Sequence, residues 1–107
     1  MTNEAPITDP LGKKIYLVPE ICTTENELHE EEEIYDDVSI VIKKPALIIE
    51  VNENDETKFY YFRSVGWEHT LLINVHYHNS RWEAYKCKKN PDSQELSILL
   101  KKGKQLL

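Results

Sequence analysis

The 107-residue sequence predicts an α+β fold: a four-stranded antiparallel β-meander with an acidic N-terminal helical region and a C-terminal helix packed on the sheet. Three observations predict it. Apolar residues recur at helical spacing just before Pro45 and again near the C-terminus. Between those stretches lie runs of β-branched and aromatic residues. Polar clusters and Gly66 punctuate the runs as turns would. A chain of this length forms one domain and buries roughly two-thirds of the surface its unfolded form exposes.

The elements follow in chain order. Residues 1–12 hold Pro6, Pro10 and Gly12 and are expected to be flexible. "KKIYLVPE" (13–20) reads as a short strand ended by Pro19. Thr24 with Glu27 three residues later makes a capping-box pattern, and the acidic run 30–33 keeps this first helical piece exposed. Residues 36–44 form a second helix: Val38, Val41 and Ile42 share a face, lysines close the last turn and Pro45 stops it. Strands then follow at 46–51, 57–65, 68–78 and 81–88. The final helix opens near Asn90 and Pro91 and carries a Leu96, Leu99 and Leu100 stripe. Lysines 101 and 102 end it, and Gly103 is expected to take the left-handed conformation beyond it.

Composition narrows the function classes. The N-terminus MTNEAPITDPLG has no apolar stretch behind a basic start, so a secretory signal is not expected. No apolar run approaches the roughly 20 residues of a membrane helix. Cys22 and Cys87 form no CxxC pair and read as reduced thiols of a cytoplasmic protein. Nothing in the sequence signals a cofactor. The net charge of −6 is unevenly spread: residues 1–56 hold 15 acidic and 4 basic side chains, residues 57–107 hold 4 and 9. Mutual attraction of the halves accounts for this, and so does a basic surface for a phosphate-bearing partner.

One stretch, "INVHYHNSRWEAYK" (73–86), concentrates reactive side chains. On the strand 70–78, Leu71, Ile73, Val75 and Tyr77 share the core face, while Asn74, His76 and His78 share the other. A two-residue loop at Asn79-Ser80 pairs His78 with Arg81, Tyr77 with Trp82, His76 with Glu83, Val75 with Ala84 and Asn74 with Tyr85. A three-residue loop would turn Arg81 and Glu83 into the core, at a high desolvation cost. The polar face then has three readings. It is a solvated surface with cross-strand His–Glu and His–Arg contacts; a zinc site of His76, His78 and either Glu83 or His69; or an acid–base site. In the last, His76 or His78 exchanges protons with Glu83, Tyr85 lies beside them, and Arg81, Lys86 and Arg63 hold phosphate. Arg63 is also readable as a snorkelling residue, and His29 as a solvated one among carboxylates.

The order of a helix, "IKKPALIIEVNENDETKFYYFR", a hydrophobic strand and "WEAY" resembles the small phage- and plasmid-borne nuclease-fold proteins grouped with RelE, BrnT and barnase. The resemblance covers residues 29–86. It runs through His29, Tyr35 and Asp37, Pro45, Lys58 to Arg63, Leu71 to Val75, and Glu83-Ala84-Tyr85. It implies a four-stranded antiparallel sheet flanked by helices and metal-independent RNA cleavage, with Glu83 standing where the family has threonine. An inactive relative of that fold, used for protein binding, fits the negative charge better; the alternative is a non-enzymatic immunity, antitoxin-like or regulatory module whose acidic helical segment masks a basic protein. RNA and a basic protein are thus the two expected partners.

Overall fold

Among the described residues seven strands, not four, make up the sheet, and one of its strand pairs is parallel. The computed structural model describes residues 5–18, 21, 31–65 and 69–107, and of residues 31–35 the backbone alone. The elements are β1 (Ile7–Thr8), β2 (Lys14–Leu17), α1 (Glu31–Lys43), β3 (Leu47–Glu53), β4 (Glu56–Val65), β5 (His69–His78), β6 (Arg81–Lys89), α2 (Ser93–Lys102) and β7 (Lys104–Gln105). Their order across the half-barrel sheet is β1-β2-β6-β5-β4-β3-β7. The α+β composition holds, but the expected four-stranded antiparallel meander with its N-terminal helical region is corrected. β2 comes in beside β6 in parallel, β1 folds back on β2, and β7 pairs with β3 at the far edge. The β2–β6 and β3–β7 pairings join residues far apart in sequence, where local alternation carries no information about partners.

Within β3 to β6 the registers follow from turn chemistry and alternation. Asn54 and Asp55 have φ of 53° and 63°, and Asn79 and Ser80 have φ of 54° and 64°. Two successive positive φ values make the two-residue hairpin turn whose twist suits antiparallel strands. One face of these strands collects Phe59, Tyr61, Ile73, Val75 and Ala84, with Ile15 from β2. Helix α1 covers that face with Val38, Val41 and Ile42, all fully buried. The opposite face holds Ile49, Val51 and Leu72, capped by Leu99 of α2 with Leu96 beside it.

Ile7 belongs to this core and Asp9 is buried beside it, so the flexibility expected of residues 1–12 is not seen at these two positions. Asp9 Oδ1 accepts from the backbone N–H of Leu11 and Lys13 at 3.0 and 2.7 Å, and the buried Tyr61 hydroxyl donates to Oδ2. Burial and this bond push the Tyr61 phenol well above its usual range.

Helix α2 departs from expectation in three details. Asp92, not Asn90, is its N-cap, accepting from Glu95 N–H at 3.0 Å. Leu100 is exposed rather than packed. Gly103 is extended (φ −114°) rather than left-handed, and glycine is required there because a Cβ would lie 2.6 Å from Ile49 Cγ2 and 2.8 Å from Glu50 O. The Thr24–Glu27 capping pattern, His29 and Cys22 lie outside the described residues.

Candidate functional site

Helix α2 lies over the β3 side of its sheet face, beside β3 and β7, and reaches β6 through the Glu95–Lys88 ion pair. Toward β6 and β2 that face presents polar and aromatic side chains instead. The β5–β6 hairpin sets them: His78 pairs with Arg81, Tyr77 with Trp82, His76 with Glu83 and Val75 with Ala84, as the two-residue loop requires. The register then shifts between Asn74 and Val75, and Asn74 pairs with Lys86 rather than Tyr85. This β-bulge gives β6 one extra residue and re-aims its side chains. Ala84 and Cys87 both stay on the core face, while the Tyr85 ring stacks on His76 with centroids 4.0 Å apart. The spacing of those two core residues, three apart on one strand, is the signal that strict alternation cannot hold there.

A file of rings results. Tyr85, His76 and His78 stack in sequence, the two imidazoles 5.4 Å apart at 26°. Beneath them Glu83 is buried, and its Oε1 lies 4.0 Å from His76 Nε2. Arg81 Nε donates to Glu83 Oε2 at 2.9 Å, and its guanidinium carbon sits 4.5 Å from the centre of the Tyr16 ring. Parallel pairing of Tyr16 with Glu83 brings β2 into the site. Lys58 of β4 stands opposite His76 on the other side.

Desolvation lowers the His76 pKa, and the neighbouring His78 and Lys58 lower it further against the opposing pull of Glu83 and Glu56. At neutral pH His76 is therefore an uncharged imidazole, able to take up a proton. Glu83, enclosed and held by Arg81, fixes the position of Arg81 beside His76. A buried carboxylate is retained at this depth because it has such a partner.

Of the expected site residues, His76, His78, Arg81, Glu83 and Tyr85 come together. Lys86 is on the same face but farther along, beside α2. Arg63 does not join them. It pairs with Leu71, on the α1 face, and its Nη1 donates to Lys44 O at 2.8 Å, closing the end of α1. Its shared parity with Phe59 and Tyr61 already implied that face. Tyr77 projects on the core side but beyond the helix, exposed and edge-on to Trp82. His69 belongs to the core-side parity of β5, so it cannot complete a metal site with His76 and His78. Among the described residues no group of three or more His, Cys, Asp or Glu is arranged to hold a metal ion.

Tyr16 and Lys58 were not singled out by sequence reasoning. Tyr16 alternates against Ile15 and Leu17, but its neighbour across the parallel pair is not legible locally. No family model, curated protein or solved structure matches the chain. Among the described residues no helix is long and apolar enough to cross a membrane.

Proposed function

We propose that the uncovered half of the second sheet face binds single-stranded RNA and cleaves it without a metal ion, with His76 and His78 as the proton-exchanging pair. The observation that carries this reading is the Tyr85–His76–His78 stack set beside the Glu83–Arg81 pair on an open face. Neutral His76 removes the proton from a ribose 2′-hydroxyl. The oxygen attacks the adjacent phosphorus, forming a 2′,3′-cyclic phosphate. The P–O5′ bond breaks, and His78 supplies the proton that the departing 5′-oxygen takes. Stacking surfaces such as Tyr85 and Tyr16 hold bases without sequence preference. Arg81, Lys58 and Lys86 provide positive charge for the phosphates on a chain whose net charge is −6.

The resemblance to RelE-, BrnT- and barnase-like nucleases implies the same activity, and on this reading the protein acts in the cytoplasm. The alternative of a masked basic protein rests on the acidic run around residues 25–33, whose side chains lie outside the described residues.

The test is incubation of a purified, untagged preparation with single-stranded RNA in excess chelator. Cleavage yielding cyclic-phosphate ends is expected, and His76→Ala should slow it about 10²–10⁴-fold. The acid limb of the wild-type pH–rate profile should lie below the ordinary histidine range, following the lowered pKa of His76. Intact RNA, or a folded His76→Ala protein as fast as wild type, defeats the reading.

A further inference from the structure

We infer that the cleft between α2 and the sheet is a nucleotide subsite, taking one base on its apolar floor and the attached phosphate on Lys86. This inference rests on the RNA reading above and extends it by naming where the neighbouring nucleotide lies. The cleft has a volume of about 230 Å³. That is under the roughly 300 Å³ at which sites for drug-sized ligands begin, so it suits a single base rather than a larger molecule.

Its floor is Leu72 with Tyr60 beside it, and Ile98 and Leu99 form the wall on α2. Burial is the main cause that raises the Tyr60 pKa, so its hydroxyl stays protonated and can donate to a base edge. The rim is basic. Lys88 is held by Glu95 at 3.0 Å and Lys102 by Glu53 at 3.1 Å, whereas Lys86 has no hydrogen-bond or ion-pair partner among the described residues. Three lysines against these two carboxylates leave one positive charge over, and it is exposed at the mouth.

Position ties the cleft to the histidines. Lys86 pairs with Asn74, which lines the cleft, and His76 follows on the same face of β5. Two residues along a strand are about 6.7 Å, a step of the order of one nucleotide. A strand of RNA lying along β5 would therefore set one base in the cleft while the next phosphate reaches His76. The bulge makes this continuous: without it, Lys86 would pair with Ile73 and turn into the core.

The test is titration of isotope-labelled protein with adenosine 5′-monophosphate, followed by NMR, with adenosine and inorganic phosphate as separate probes. Saturable shifts at Tyr60, Asn74, Ile98 and Leu99 are expected, with adenosine and phosphate each binding more weakly. Lys86→Glu, at an exposed position that does not endanger folding, should weaken the nucleotide at least tenfold. Shifts confined to His76 and His78, the absence of saturable shifts, unchanged affinity in Lys86→Glu, or phosphate binding as tightly as the nucleotide would each overturn the subsite. Nucleotide binding in the cleft by a protein that leaves RNA uncut sinks the ribonuclease reading and leaves the cleft standing.

Discussion

The two faces of the sheet are built from the same strands, one residue out of step, and they have been finished differently. On the α1 face Ile15, Tyr61, Ile73 and Val75 are fully enclosed, and the buried carboxylate of Asp9 accepts from Tyr61 and two backbone N–H groups. On the α2 face the helix packs over Ile49 and Val51, with Leu72 at the edge of the covered patch, and then coverage stops. Beyond it a second buried carboxylate, Glu83, is joined to a half-exposed Arg81 and lies near His76, within reach of solvent. Both carboxylates are satisfied, as burial demands. The first network points inward and braces the fold; the second opens outward, where a ligand can meet it.

Substitutions across one strand break or sharpen this contrast. Ile73→Ala, on the sealed side of β5, should cost about 2–5 kcal/mol in urea unfolding. His78→Ala, five residues on and exposed, should stay within about 0.5 kcal/mol. Equal costs would mean that the two sides are not differently finished. Tyr61→Phe comes next, at about 1–3 kcal/mol, because Asp9 Oδ2 loses its donor inside the core. A loss near zero would show that Asp9 is held by the 9–13 turn alone. The smallest effect is a pH dependence. His76 has a lower pKa folded than unfolded, so its contribution to stability is full above the ordinary histidine range and declines as pH falls through that range toward its folded value. His76→Gln should flatten that part of the stability–pH curve, and a curve unchanged by the substitution would contradict the lowered pKa.

What could be read in advance was whatever repeats along neighbouring residues. Val38, Val41 and Ile42 announced the buried stripe of α1, and Asn79-Ser80 with alternating apolar residues fixed the pairing of His76 with Glu83. The bulge was half legible: Ala84 and Cys87 cannot both face inward on a regular strand, yet the regular register was carried one pair too far, to Tyr85. The strands β1, β2 and β7 belong to another category. Two of them have only two residues each, and their partners are set by tertiary packing, so Tyr16 could not be foreseen as a neighbour of Arg81. Arg63 was misjudged by its charge, when its parity with Tyr61 assigned it to the other side.

The parallel seam between β2 and β6 also orders events in time. The β3–β4 and β5–β6 hairpins each close over a turn of two residues, whereas Ile15 must find Trp82 from far away in the chain. Short loops close at less entropic cost than long ones. The hairpins are therefore expected to assemble ahead of the N-terminal strand, with Tyr16 reaching Arg81 last.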